Sequence, residues 1–160
     1  MLGPDGANGR RFLDLYSGLG TFGLEALRRG ASRVVMVEQD RRRAAALEAA
    51  IGQSTVANVV AQDAVRALSS LEGPFDVVFA DPPYADRPFE ALAVGLNDRD
   101  LVAPGGVVML EHFHKSPPPD HLCGLELVTR RRYGDSAVSV YRPVEDDEPA
   151  ITGEEPDQSW

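Results

Sequence analysis

A strand that runs directly into a glycine-rich turn and leaves it as a helix constrains this chain more than any other feature. Residues 11–16, Arg-Phe-Leu-Asp-Leu-Tyr, form a short apolar run, and Ser17-Gly18-Leu19-Gly20-Thr21-Phe22-Gly23 follows at once. Phe22, Leu24, Ala26 and Leu27 then supply the apolar surface of a helix expected over residues 21–29, which Gly30 stops. The G-x-G-x-x-G spacing between strand and helix is the opening of a βαβ unit, whose turn receives an adenosine-containing ligand.

The alternation continues. Residues 32–37 read as a second buried strand closed by Glu38, and Asp40 caps a helix over residues 41–51. A third strand over residues 56–61 ends near Asp63, with a short helix over residues 64–70 behind it. Gly73-Pro74 turns the chain into a fourth strand, Phe75-Asp-Val-Val-Phe-Ala80, whose apolar run suits a strand buried on both faces. A helix over residues 88–97, a turn at Pro104-Gly105-Gly106 and a fifth strand over residues 106–112 follow. Residues 125–133 and 137–141 then form two strands around Gly134-Asp135-Ser136. The expected fold is α/β, a Rossmann-like, doubly wound and mostly parallel sheet with a C-terminal antiparallel hairpin.

At 160 residues the chain is most economically one domain. One cysteine, Cys123, excludes an internal disulfide, and no stretch approaches the roughly 20 apolar residues of a membrane span. A cytoplasmic protein with no membrane partner is therefore expected. The net charge of −9 is concentrated at the C-terminus: residues 144–160 hold seven acidic and no basic residues, leaving 18 acidic against 16 basic elsewhere. Residues 144–160 read as an acidic disordered tail, residues 11–143 as the domain, and residues 1–10 as a flexible start. The balance of the domain therefore leaves a nucleic-acid partner open.

The fourth strand stops at Asp81-Pro82-Pro83-Tyr84. Two successive prolines lack N–H groups and hold φ near −65°, so a carboxylate, a free carbonyl and an aromatic ring are fixed at a strand's carboxyl end. In open α/β sheets ligands bind at that end. With a 3-2-1-4-5 strand order, this loop lies beside the glycine loop. Glu38, 20 residues after Gly18, stands where a carboxylate grips ribose hydroxyls. Asp63 can accept from an adenine amino group as well as cap the helix that begins at Ala64. Asp14, four residues before Gly18, disfavours a pyrophosphate and favours a cation. S-adenosyl-L-methionine, with its ammonium and sulfonium, fits better than NAD. The chemistry that joins these loops is methyl transfer to an exocyclic amine of a base, a poor nucleophile whose N–H groups Asp81 and the Pro82 carbonyl can hold. Tyr84 is placed to stack on that base.

The combination Asp14-Leu-Tyr-Ser-Gly18-Leu-Gly20, Gly23-Leu-Glu25-Ala-Leu, Arg29-Gly-Ala31, Glu38 and Asp81-Pro-Pro-Tyr84 resembles the RsmD-type family of 16S rRNA guanine-N2 methyltransferases, of the class I methyltransferase fold. Arg132-Tyr133-Gly134-Asp135 resembles that family's C-terminal hairpin. The match spans about residues 12–141. The resemblance implies a methionine moiety near Asp14, Tyr16 and Gly18, with Gly20 in the same loop. It implies ribose on Glu38, adenine near Gln39, Asp63 and Ala64, and the target amine on Asp81, Pro82, Pro83 and Tyr84. The implied partner is small-subunit rRNA or an assembling ribosomal particle. Family members also carry an N-terminal segment, with an Arg-Pro-Thr-Thr-like stretch, that closes over the site; only ten residues precede Arg11 here, so a truncated start or a divergent member is expected.

Three alternatives stay open: an adenine-N6 or cytosine-N4 enzyme, a cofactor-binding module without catalysis, and, less favoured by Asp14, an NAD-dependent oxidoreductase. Arg130, Arg132 and Tyr133 are candidate RNA contacts, although alternating strand arginines are often only solvated. His112 and His114 lie on one strand face with no further ligand placed beside them, so no metal is expected. Cys123 has no partner base that would make it reactive.

Overall fold

The computed structural model describes residues 5–145. The elements in chain order are β1 (Arg11–Leu15), α1 (Thr21–Arg28), β2 (Arg33–Val37), α2 (Arg41–Ile51), β3 (Ala57–Val60) and α3 (Ala64–Ala67). They continue as β4 (Phe75–Ala80), α4 (Phe89–Asp98), β5 (Val102–Phe113), β6 (His121–Leu122), β7 (Leu125–Tyr133) and β8 (Ser136–Pro143). The strands form one sheet in the order β3-β2-β1-β4-β5-β8-β7-β6. The first five are parallel, and β8, β7 and β6 extend the sheet antiparallel.

Alternation along the central strands builds two cores. Leu13, Leu15, Val35, Val78 and Ala80 face α3 and α4, packing with Phe89, Leu92 and Leu96. Phe12, Val34, Met36 and Val77 face the other way, toward Ala26 of α1 and Leu47 of α2. Both faces of the sheet are covered, so β1, β2 and β4 carry near-continuous apolar sequence. Each fully buried Leu or Phe contributes about 1.5–3 kcal/mol.

Helix starts follow local chemistry. The Asp40 carboxylate accepts from Arg43 N at 2.9 Å and the Asp63 carboxylate from Arg66 N at 3.0 Å, each meeting one of the free amides of a first helical turn. Gly20 precedes α1 at φ 78°, and a Cβ there would run into Leu47 and Leu24. Gly23 lies so close to β2 that a Cβ would meet Met36 Cγ at 2.6 Å. These two glycines let α1 settle onto the sheet.

Two elements differ from expectation. The fifth strand begins at Val102, because Pro104-Gly105-Gly106 is an irregularity inside β5; Phe75 pairs with Val102, and the register resumes at Val77 with Val107. The two-residue β6 also joins the sheet, held by His121–Glu126 and Leu122–Leu125 pairing. Residues 5–10, expected as part of a flexible start, fold onto the domain: Ala7 is buried in the α1 core and Gly9 N donates to the Gly30 carbonyl at 3.0 Å. Most of the expected acidic tail, residues 146–160, lies outside the described residues. No described helix is long and apolar enough to cross a membrane.

Candidate active site

Strands β1 and β4 are adjacent, with Leu15 paired to Ala80, so the loops after them emerge side by side. Between them opens a cleft of about 430 Å³. Of the residues singled out from sequence, Tyr16, Gly18, Glu38, Gln39, Ala64, Asp81, Pro82, Pro83 and Tyr84 line it. Asp14, Gly20 and Asp63 stand just behind the lining. Arg130, Arg132 and Tyr133 do not reach it.

Glu38 organises the glycine loop. Its side chain is buried at the end of β2, where Oε1 accepts from Gly18 N at 2.9 Å and Oε2 from Asp40 N at 2.9 Å. Each carboxylate oxygen keeps acceptor capacity for a ligand hydroxyl. Asp14 lies under α1, where its Oδ2 accepts from Gly23 N at 3.1 Å. It is 1% exposed, and burial pushes its carboxyl up to about 7. The Gly23 amide and the Ser17 hydroxyl work against that shift, while the Asp81 and Glu38 carboxylates add to it.

These bonds decide what the glycine loop can bind. In a pyrophosphate site the loop amides point at the ligand. Here Gly18 N is taken by Glu38, Gly20 N by the Ser17 carbonyl at 2.7 Å, and Gly23 N by Asp14. The three glycine amides are thus taken by the protein's own acceptors, two carboxylates and a carbonyl, rather than left for an anion. Glu38, Asp81 and Glu111 in the lining face only Arg43 as a counter-charge. The donor set therefore fits a cationic adenosine ligand such as S-adenosylmethionine and does not fit a dinucleotide.

Tyr16, the residue after β1, sits at φ 60°, a conformation that costs a non-glycine residue of order 1 kcal/mol or more. Burial, then Asp63 and Asp86, push its hydroxyl up to about 12, so it stays a neutral donor. On the facing side, burial raises the Asp81 carboxyl above its ordinary range. The Tyr84 hydroxyl hydrogen-bonds Ser136 Oγ at the start of β8, and its ring lies 5.9 Å from that of Phe113. Tyr84 remains 50% exposed.

Four lining residues are not marked as cleft residues by the sequence: Val37, Arg43 (one of a run of helix arginines), Gln62 and Glu111 (a neighbour of His112 and His114). Glu111 carries a signal, since a carboxylate directly after the apolar run Val107-Val-Met-Leu110 of a buried strand is unusual. Ala80 pairs with Leu110, so Asp81 and Glu111 leave adjacent strands in register. Burial raises the Glu111 carboxyl, the Asp81 charge adds to this, and the Ser136 hydroxyl partly offsets it.

The hairpin arginines divide. Arg130 is committed: Nε donates to Ser139 Oγ at 2.9 Å, Nη1 to Asp120 at 2.9 Å and Nη2 to the Pro118 carbonyl. Arg132 and Tyr133 are exposed at the hairpin tip, with Arg132 Nε donating to the Gly134 carbonyl at 2.8 Å. His112 is buried with Nε2 at 2.7 Å from Ser139 Oγ and Nδ1 at 2.9 Å from the Phe113 carbonyl, so both ring nitrogens are engaged. Among the described residues no group of three His, Cys, Asp or Glu side chains could hold a metal ion. Cys123 is a half-buried free thiol.

The family model described as "Conserved hypothetical protein 95" matches residues 1–142. The Escherichia coli K12 protein named ribosomal RNA small subunit methyltransferase D is 32% identical over 132 residues, covering 81% of this chain and 67% of that one. A Streptococcus pyogenes structure described only as a conserved hypothetical protein superposes with a TM-score of 0.76 at 34% identity, over 84% of this chain and 86% of the other. The Thermus thermophilus 16S rRNA N2 methyltransferase RsmC, solved with AdoMet and guanosine, superposes with a TM-score of 0.65 at 26% identity, over 89% of this chain and 40% of that longer one. With its class I methyltransferase sheet order and its glycine loop closed by carboxylates, the chain belongs to this family, the RsmD family of methyltransferases.

Proposed function

We propose that this chain transfers a methyl group from S-adenosylmethionine to an exocyclic amine of rRNA, N2 of a guanine in 16S rRNA, in the cytoplasm. The observation that supports it most strongly is the cleft in which a cation-favouring glycine loop faces the Asp81–Tyr84 loop across adjacent strands. The E. coli relative's name and the RsmC complex with guanosine agree with that reading.

S-adenosylmethionine supplies an electrophilic methyl carbon, whose bond to sulfur breaks with the electron pair passing to sulfur. Glu38 holds the ribose hydroxyls while its backbone contacts keep the glycine loop in place. Gln39, Asp63 and Ala64 flank the adenine, and Asp14, Tyr16, Gly18 and Gly20 shape the end that takes the methionine moiety. Asp81 and the Pro82 carbonyl accept the two N–H bonds of the target amine. This draws nitrogen toward tetrahedral geometry and aims its lone pair; each charge-assisted bond contributes about 1.5–3 kcal/mol. Pro83 stiffens the loop and Tyr84 stacks on the base. Once nitrogen carries four bonds its proton is acidic, and Asp81, whose affinity for a proton is raised by burial, takes it. Arg132 and Tyr133 on the exposed hairpin contact the RNA, and the Tyr84–Ser136 bond ties that hairpin to the catalytic loop.

Incubation with methyl-labelled cofactor and small ribosomal subunits, or free 16S rRNA, from a strain lacking this activity tests the reading. Label enters rRNA if it is right, and absence of label on both substrates overturns it. Asp81→Ala retains cofactor affinity within about threefold and loses at least about 100-fold in transfer rate. Loss of both would assign Asp81 to the fold or the cofactor site.

A further inference from the structure

Next to the cleft lies a second cavity of about 300 Å³ that shares Pro82, Tyr84 and Glu111 with it; its other lining residues include Arg87, Phe89, Phe113 and, at the hairpin, the carboxylate of Asp135. Rings and a proline supply most of its wall. Arg87 is already spent, with Nη1 donating to the Ser116 carbonyl at 2.8 Å and its guanidinium 5.8 Å from the Phe89 ring centre. Glu111 is the shared carboxylate of the two cavities.

The position of Glu111 follows from the sheet. Phe79 pairs with Met109 and Ala80 with Leu110, so Asp81 and Glu111 continue adjacent parallel strands in step. Neighbouring strands are about 4.8 Å apart, and in-register side chains share a face. Two carboxylates side by side, both partly withdrawn from water, repel each other and add nothing to folding. They do match one ligand edge. Guanine presents N1–H and N2–H as adjacent donors, whereas adenine and cytosine place a ring-nitrogen lone pair beside the exocyclic amine.

We propose that Glu111 is the specificity-determining residue of this site, accepting N1–H of guanine in the second cavity while Asp81 and the Pro82 carbonyl hold N2. This rests on the function proposed above and extends it to the choice of base. Adenine or cytosine sets a lone pair against the carboxylate, so the site discriminates by an unpaired acceptor pair as well as by a bond gained. Tyr84 and Phe113 receive the flat face of the base, and the Ser136 hydroxyl, bonded to Tyr84, also adjoins Glu111.

The test is a binding measurement that needs no turnover. Protein loaded with S-adenosylhomocysteine is titrated at pH 8 with guanosine and with 2-aminopurine riboside, which keeps the 2-amino group and lacks N1–H, using ligand-observed NMR. Wild-type protein prefers guanosine by about tenfold or more. Glu111→Gln, of the same shape, reduces the ratio below about threefold with the melting temperature unchanged, both nucleosides being titrated into protein saturated with S-adenosylhomocysteine. Glu111→Asp, which keeps an acceptor carboxylate, retains part of the preference. An unchanged ratio in Glu111→Gln overturns the inference, as does an equal loss of affinity for both nucleosides. Methyl transfer to rRNA is measured on the same wild-type protein. Transfer with an unchanged ratio removes this inference alone, whereas a collapsed ratio without transfer upholds it and removes the rRNA methyltransferase reading.

Discussion

Replacing Asp14 by Asn separates the cost of a buried carboxylate from its use. Asp14 is 1% exposed and its carboxyl is pushed up to about 7, against about 3.9 in an unfolded chain. Between those values the folded protein holds a proton that the unfolded chain has lost. The contribution of Asp14 to stability is therefore greatest below pH 4, falls as pH rises, and levels off above pH 7. Three pH units at about 1.4 kcal/mol each set an upper bound of about 4 kcal/mol. Asn keeps an acceptor for Gly23 N but brings an amide N–H₂ that has no partner there, at about 1–3 kcal/mol. Relative to wild type, the variant accordingly gains about 3 kcal/mol in stability on going from pH 5 to pH 8, and is the more stable protein at pH 8. Urea unfolding at the two pH values reads this directly, because the difference between the two proteins cancels every other titrating group. Ligand binding runs the other way. Ionised Asp14 favours a cation, so wild-type affinity for S-adenosylmethionine rises between pH 6 and pH 8, while that of the variant is flat and weaker. The same stability difference at pH 5 and pH 8 would refute the reasoning.

Three further substitutions separate the cofactor site from the hairpin. Glu38→Ala removes the acceptor for Gly18 N and Asp40 N together with the proposed ribose contact, and calorimetry with S-adenosylhomocysteine should show affinity reduced about 10–100-fold. Arg130→Ala, which removes the donor to Asp120, the Pro118 carbonyl and Ser139, lowers the melting temperature without altering the salt dependence of RNA binding. Arg132→Ala does the reverse, reducing the salt slope of RNA affinity by about one with the melting temperature unchanged.

Much of this architecture is legible in the sequence where one level of structure determines it. Strands β1, β2 and β4 lie between helical layers, so their uniform apolar runs mark them, and Asp40 and Asp63 announce the helices they cap. The start of β5 is not legible, because Pro104-Gly105-Gly106 has turn composition and only pairing with Phe75 makes it part of a strand. Strand β6 has two residues and exists only through β7. The same division holds in the site. Glu38 and Asp81–Tyr84 follow from spacing along the chain, whereas Glu111 becomes a site residue only when β4 and β5 pair. From the sequence Asp14 is a charge near the ligand; its added role as the acceptor for Gly23 N under α1 depends on how that helix packs. Arg130 shows the limit of charge patterning, since its burial against Ser139 and Asp120 consumes the donors that a phosphate would need.

The central claim, an amine-directed methyl transfer at Asp81, is tested most directly by nucleoside mass spectrometry. Small ribosomal subunits lacking the modification are treated with wild-type protein and S-adenosylmethionine, and the 16S rRNA is digested. The account predicts N2-methylguanosine at a single position, absent when Asp81→Ala protein is used. N6-methyladenosine, N4-methylcytosine, or N2-methylguanosine formed equally well by the Asp81→Ala protein would contradict it.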